Sequence, residues 1–302
     1  MEIIENIDQT KKALCKIPFC MTFFMLGVVS SLGETYFIEQ ANTMNNMVGR
    51  YKVPLGVLQL CYEFSQIIFP IIYLVIMKKL LNFDSEGRND NDVASSKYAG
   101  CVGIAVSIIF AILCCFAAAN IEKRRLDKVP YMKNDDIIPM SMFWLVPQFF
   151  LLGSFDGILE KSIDLVFNHQ AHTLSDHVMG IFSMAIIGFG KVSSVLSALI
   201  AQKITAWGDN TSWFVENLND SRLDKYYWIL AALLHIRINK YTQLTSPQPL
   251  LLHVGLIVVD YIVALDEAVF FFFEEKLAYI FNNSIPLQEG EKDECSSSIQ
   301  DS

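Results

Sequence analysis

Five long apolar runs constrain this chain more than any other feature. Crossing about 30 Å of hydrocarbon takes roughly 20 apolar residues at about 1.5 Å rise each, and runs of that size begin at Ile17, Leu55, Tyr98, Ile137 and Val178. Ile17 to Ile38 opens with Pro18 at a first-turn position, where the missing N–H costs nothing, and carries one acid, Glu34, before its end. Leu55 to Met77 stops at Lys78-Lys79 and holds Pro70 as an expected kink. Tyr98 to Ala119 is uncharged, and Ile137 to Phe155 is apolar before continuing as a polar-striped helix through Val166. Val178 to Ile204 is rich in small residues (among them Gly180, Gly188, Gly190, Ser193, Ser194 and Ser197), which suit close helix packing in lipid. A sixth segment, 225–241, is interrupted by Arg237 and Lys240 and falls short of a span.

The reading that follows is an all-α, multi-pass integral membrane protein whose first partner is the lipid bilayer. With 53% hydrophobic and 18% charged residues the chain is too apolar for an ordinary soluble domain. A net charge of −9 argues against a nucleic-acid partner, which needs clustered cations on one surface. The one dense basic run, Lys123 to Lys128, reads as a solvated helix end. Cys61, Cys101, Cys114 and Cys115 lie inside apolar runs with no CxxC pair, so buried reduced thiols are expected.

Residues 1–16 are polar, show no cleavable signal peptide, and read as a cytosolic N-terminal segment ahead of a bundle over 17–241, with helices near 17–38, 55–77, 98–119, 137–166, 178–204 and 225–241. An apolar segment follows at 250–281, and 282–302 reads as a disordered acidic tail. Loop charge leaves the orientation undecided. Two sequons, at Asn210 and Asn219, favour a cytosolic N-terminus.

The stretch Ser212 to Ala231 is more specific. Trp213, Phe214, Asn217, Leu218, Asn219, Leu223, Asp224, Tyr227, Trp228, Leu230 and Ala231 form a pattern that resembles the last helix of plant nitrate/peptide transporters, a branch of the proton-dependent oligopeptide transporters within the major facilitator superfamily. Phe37-Ile38-Glu39-Gln40 through Leu58-Gln59 resembles that family's loop between its seventh and eighth helices, and Glu122 to Leu126 the end of its ninth. Ile138 to Ser141, Trp144 to Gln148, Gly153 and Asp156 resemble its tenth, and Gly188-Phe189-Gly190 with Ser193-Ser194 its eleventh. From His235 onward the likeness stops.

The resemblance implies the C-terminal six-helix half of a major-facilitator fold, with the last helix degenerate, and a proton-coupled symporter of nitrate, peptide or another small solute in the plasma or vacuolar membrane. It also implies that the chain is truncated relative to the family and does not transport alone. The alternative is a non-transporting membrane protein that dimerises or associates with a second half or a full-length relative. The family's late glutamate in its tenth helix falls at Leu165, and a usual serine in its eleventh falls at Lys191.

Ionisable residues at membrane depth are expensive, about 2.5 to 3.5 kcal/mol on insertion scales, so each needs a reason. Lys191 is expected to face the bundle interior and meet an acid such as Asp156 or Glu34. There it holds an anion or sets a proton site, or else it is a drifted position in an inactive protein. Asp156, Glu160 and Asp164 recur every four residues on one face. They form an acidic, proton-exchanging track, or they end the helix in solvent with Lys161 and Asp164 paired. Glu63 is expected to be the most buried acid of the second helix. Trp144 and Gln148 join Glu34, Glu63, Asp156, Asp164 and Lys191 as substrate-binding or proton-coupling candidates. His169, His172, Asp176 and His177 lack regular ligand spacing, so no metal is expected; nor is a cofactor, and no motif supports enzyme chemistry.

Overall fold

In a computed structural model of the chain, residues 22–48, 50–81, 90–131, 137–168, 174–209 and 221–245 are described. The readings for 1–16, 250–281, 282–302, both sequons and His169 and His172 lie outside them. The helices are α1 (Thr22–Ser30), α2 (Tyr36–Thr43), α3 (Gly56–Leu81), α4 (Asp90–Lys128), α5 (Val146–Ile163), α6 (Leu174–Asp209) and α7 (Leu223–Thr245). Four of these regions are long and apolar enough to cross a membrane: Gly56–Leu81, Ala94–Lys128, Met142–Phe167 and Gly180–Ser197.

Helix α5 packs between α3 and α4, α4 also packs on α7, and α1 lies along α6. Side chains from α1, α2, α4, α5 and α7 share one apolar core, with Phe37 set edge-on to both Phe149 and Tyr227 at centroid distances of 5.7 and 5.9 Å. The outward faces are apolar too. Leu60, Phe64, Ile67, Ile71, Val75 and Leu80 run exposed along α3, and Ile181, Phe189, Val192, Leu196 and Ile200 along α6. Such continuous apolar surface is costly in water and at ease in lipid.

The close packing rests on glycines. A Cβ at Gly153 would collide with the Tyr62 carbonyl and one at Gly157 with the Gln66 carbonyl, which seats α3 on α5. A Cβ at Gly27 would strike the Ile187 carbonyl and one at Gly190 the Phe24 carbonyl, which seats α1 on α6. The small residues of α6 are therefore used at Gly190 but not at Gly188, which has nothing within 4 Å.

Four helix boundaries differ from the sequence expectation. The run 17–38 is not one helix: the backbone turns at Ser31–Thr35 between α1 and α2. There the Ser31 hydroxyl donates to the Val28 carbonyl at 2.7 Å and Thr35 to the Ser31 carbonyl at 2.8 Å, local bonds that compete with the helical ladder. The run 137–166 starts as an extended strand, Ile138–Ser141, because Pro139 has no donor and biases Ile138 away from helical angles. That strand pairs in parallel with Met44–Asn45, then a 3-10 turn at Met142–Leu145 leads into α5, which ends in a π-helical turn at Asp164–Asn168. Helix α4 spans 39 residues rather than the apolar 98–119 alone. Helix α7 runs 23 residues, straight through Arg237 and Lys240, because these residues interrupt apolarity without opposing helix. Met47–Val48 and Tyr51–Lys52 form a small antiparallel hairpin before α3.

Cys114 and Cys115 are buried free thiols, while Cys61 and Cys101 are only partly buried. At the start of α7, burial acts to raise the Asp224 carboxyl, but Arg222, bonded to both its oxygens at 3.0 Å, and the Lys225 backbone outweigh this and hold it below its ordinary value.

Gly157→Leu and Gly190→Leu are each expected to destabilise the detergent-purified protein by about 3 kcal/mol or more, since backbone must move. Gly188→Leu should change it by less than about 0.5 kcal/mol, as read from thermal unfolding. The Asp224 contribution should be fully present above its unfolded pKa of about 3.9. It should be lost as pH falls through the lower folded value, and Asp224→Asn should flatten that part of the stability profile. With Arg222 half exposed, the effect is expected at about 1 kcal/mol or less.

Candidate functional site

Asp156 stands on α5 between the two glycine contacts, so the close approach of α3 at Gly153 and Gly157 brings Tyr62 over it. The Tyr62 hydroxyl donates to Asp156 Oδ2 at 2.9 Å. Lys191 of α6 and Glu34 of the turn before α2 are its charged neighbours, close enough to act on the carboxylate. Ser30 of α1 lies beside it, its buried Oγ short of a hydrogen bond of normal geometry. One partly buried carboxylate thus gathers groups from α1, α3, α6 and the turn before α2. Glu34 also lines a cleft of about 420 Å³ with Ile38, Leu55, Gln59 and Phe149.

The Asp156 carboxylate has one hydrogen bond from Tyr62, with a cation and a second acid near it. Lys191 acts on Asp156 through space, and among the described residues no ion pair joins it to Asp156 or Glu34.

Other candidates are placed differently. Glu63 is exposed on the apolar outer face of α3, not buried, because the glycine contacts turn the Tyr62 and Ser65 side of that helix toward α5. Glu160 is exposed, and Asp164 pairs with Lys161 at 2.8 Å, both side chains over a third exposed. The acidic stripe is therefore one site residue followed by a solvated helix end. Trp144 carries the Arg124 guanidinium at 5.7 Å from its ring centroid. Among the described residues, no group of three or more His, Cys, Asp or Glu is arranged to hold a metal ion.

Gln148 belongs to a second polar cluster. Its Nε2 donates to Gln40 Oε1 at 3.2 Å, and Gln40 Nε2 donates to Glu122 Oε2 at 2.8 Å. Arg125 grips both Glu122 oxygens at 2.7 and 2.8 Å and donates to Thr43 Oγ1 at 3.2 Å. Gln40, Glu122, Arg125 and Gln148 are wholly inaccessible to solvent. The basic run at Lys123 to Lys128 is thus only partly a solvated end: Lys123 and Lys128 are exposed, but Arg125 is buried. The i,i+3 spacing of Glu122 and Arg125 was the available signal for the pair.

A family model described as PTR2, the POT family, matches residues 1–229. The chain belongs to the POT family. Similar proteins include NRT1/PTR FAMILY 5.5 of Arabidopsis thaliana, 31% identical over 229 residues, covering 75% of this chain and 42% of that protein. NRT1/PTR FAMILY 5.6 of the same plant is 30% identical over 239 residues, 78% of this chain and 39% of that protein. The chain therefore spans about two-fifths of the length of these POT-family relatives. The four apolar spans and the family together make it a multi-pass membrane protein of a transporter family.

Tyr62→Phe removes the hydrogen bond that Asp156 receives from α3 and is expected to cost about 1.5 to 3 kcal/mol in detergent thermal unfolding. In a double-mutant cycle with Asp156→Ala the two losses should be strongly non-additive.

Proposed function

We propose that the chain forms the C-terminal six-helix half of a proton-coupled nitrate/peptide-type symporter, with Asp156 exchanging the proton in its wall of the solute path. The observation that carries this reading is the carboxylate in contact with Tyr62 and flanked by Lys191 and Glu34, in a POT-family chain. In a transporter built of two such halves around a central cavity, rocking of one against the other exposes the site to each side in turn. A proton on Asp156 removes one of the two acids near Lys191, so solute binding and proton binding are electrostatically linked at one place. Glu34 marks where the cleft meets that site. The substrate is a small solute, the membrane the plasma or vacuolar one, and the chain works without enzyme chemistry.

By itself the chain supplies one wall and does not transport. The exposed apolar faces of α3 and α6 favour a second reading, a membrane protein that associates with a second half or a full-length relative.

Uptake of labelled nitrate and dipeptide should be measured in proteoliposomes under an inward proton gradient. The chain alone is expected to give background uptake; co-reconstituted with a separately expressed first half of a relative, it should give gradient-driven uptake that Asp156→Asn abolishes. Gradient-driven uptake by the chain alone would overturn the half-transporter reading. Stable co-purification with a full-length relative, without uptake in any combination, would establish the second.

A further inference from the structure

We propose that the buried Gln40–Glu122–Arg125–Gln148 cluster is a conformational lock that makes α2, α4 and the start of α5 move as one unit, whatever the solute path does. The proposal stands apart from the transport reading, because none of these groups touches Asp156.

Three observations converge on it. First, the charge pair is complete within the chain: Glu122 receives two bonds from Arg125 and one from Gln40, and Arg125 gives a further bond to Thr43. Glu122 and Arg125 both stand on α4, so separating α2 from α4 leaves their pair intact and breaks the two charge-assisted bonds that cross between the helices, Gln40 to Glu122 and Arg125 to Thr43, which resist displacement more than an apolar contact does. Second, Gln148 joins the start of α5 to α2 through Gln40, and Cys114 of α4 donates to the Gln148 carbonyl at 3.4 Å. Third, the main chain repeats the connection: Met44–Asn45, directly after α2, pairs with Ile138–Ser141, directly before the turn into α5. Side-chain and backbone bonds therefore tie the same segments at the same end of the bundle.

Helices α3 and α6 are seated differently. At Gly153, Gly157 and Gly190 they meet α5 and α1 by close approach of glycine to carbonyl, joined to their neighbours by single hydrogen bonds from Tyr62 to Asp156, from Tyr73 to the Ala99 carbonyl and between Ser197 and Tyr226, and their outer faces are exposed. Isolated contacts of this kind permit small sliding, whereas three side-chain bonds and a strand pairing that join the same segments together favour one arrangement. The lock thus assigns rigidity to α2, α4 and α5 and mobility to α3 and α6.

Hydrogen–deuterium exchange on the full chain in lipid nanodiscs tests this. Glu122→Gln should speed exchange more than about a hundredfold in residues 36–48 and 138–148 together, and leave 56–81 and 180–197 unchanged. Should Glu122→Gln fail to fold, Thr43→Val, which removes a single bond from the cluster, is expected to give about a tenfold increase in the same two segments. Acceleration confined to 119–128 would mean a local helix-end pair and would overturn the proposal. Acceleration of equal size along the whole chain would mean general destabilisation and would overturn it as well.

Discussion

The closeness with which glycine lets one backbone approach another carries the arrangement of this bundle. Lipid gives helices no hydrophobic reason to associate, so packing must come from van der Waals contact, hydrogen bonds and shape. Gly153 and Gly157 bring α5 against the backbone of α3, and Gly27 and Gly190 do the same for α1 and α6. The first of these contacts turns Tyr62 inward and Glu63 outward. The second lays Ser30 and Lys191 on the same side of the bundle as Asp156. The charged site is a consequence of where the glycines fall.

Two polar clusters with different physical character follow. The Glu122–Arg125 cluster is wholly buried and densely bonded, with partners for both carboxylate oxygens. It orders one end of the bundle around α2, α4 and α5. The Asp156 cluster has one firm hydrogen bond, a nearby ammonium without an ion pair, and a second acid at the edge of a cleft. The first carboxylate is held by several bonds and the second by one. The same helix α5 carries both, Gln148 near its start and Asp156 about two turns further along.

Much of this was legible in the sequence. The long apolar runs beginning at Leu55, Tyr98 and Val178 each lie in a long helix, and the Lys161–Asp164 pair follows from three-residue spacing on a helix surface. The motif around Trp213 to Ala231 pointed to the family to which the chain belongs. The breaks were harder to see. The turn at Ser31–Thr35 depends on side-chain hydroxyls choosing carbonyls nearby, which apolar composition does not reveal. The strand at Ile138–Ser141 is too short to show alternation, although Pro139 marked the place.

The sequence by itself determined that this is a membrane-spanning helical protein of a transporter family, because hydrocarbon thickness and backbone hydrogen bonding leave a long apolar run little choice but helix. It also singled out Asp156 and Lys191 as charges needing a reason. Only the tertiary structure decided which charges meet. Arg125 is buried while Lys123 is exposed, and Tyr62 reaches Asp156 while Glu63 faces outward, because helix rotation is set by contacts between segments far apart in the chain. Spacing along one helix shows which residues share a face. What that face meets depends on the neighbours that packing brings to it.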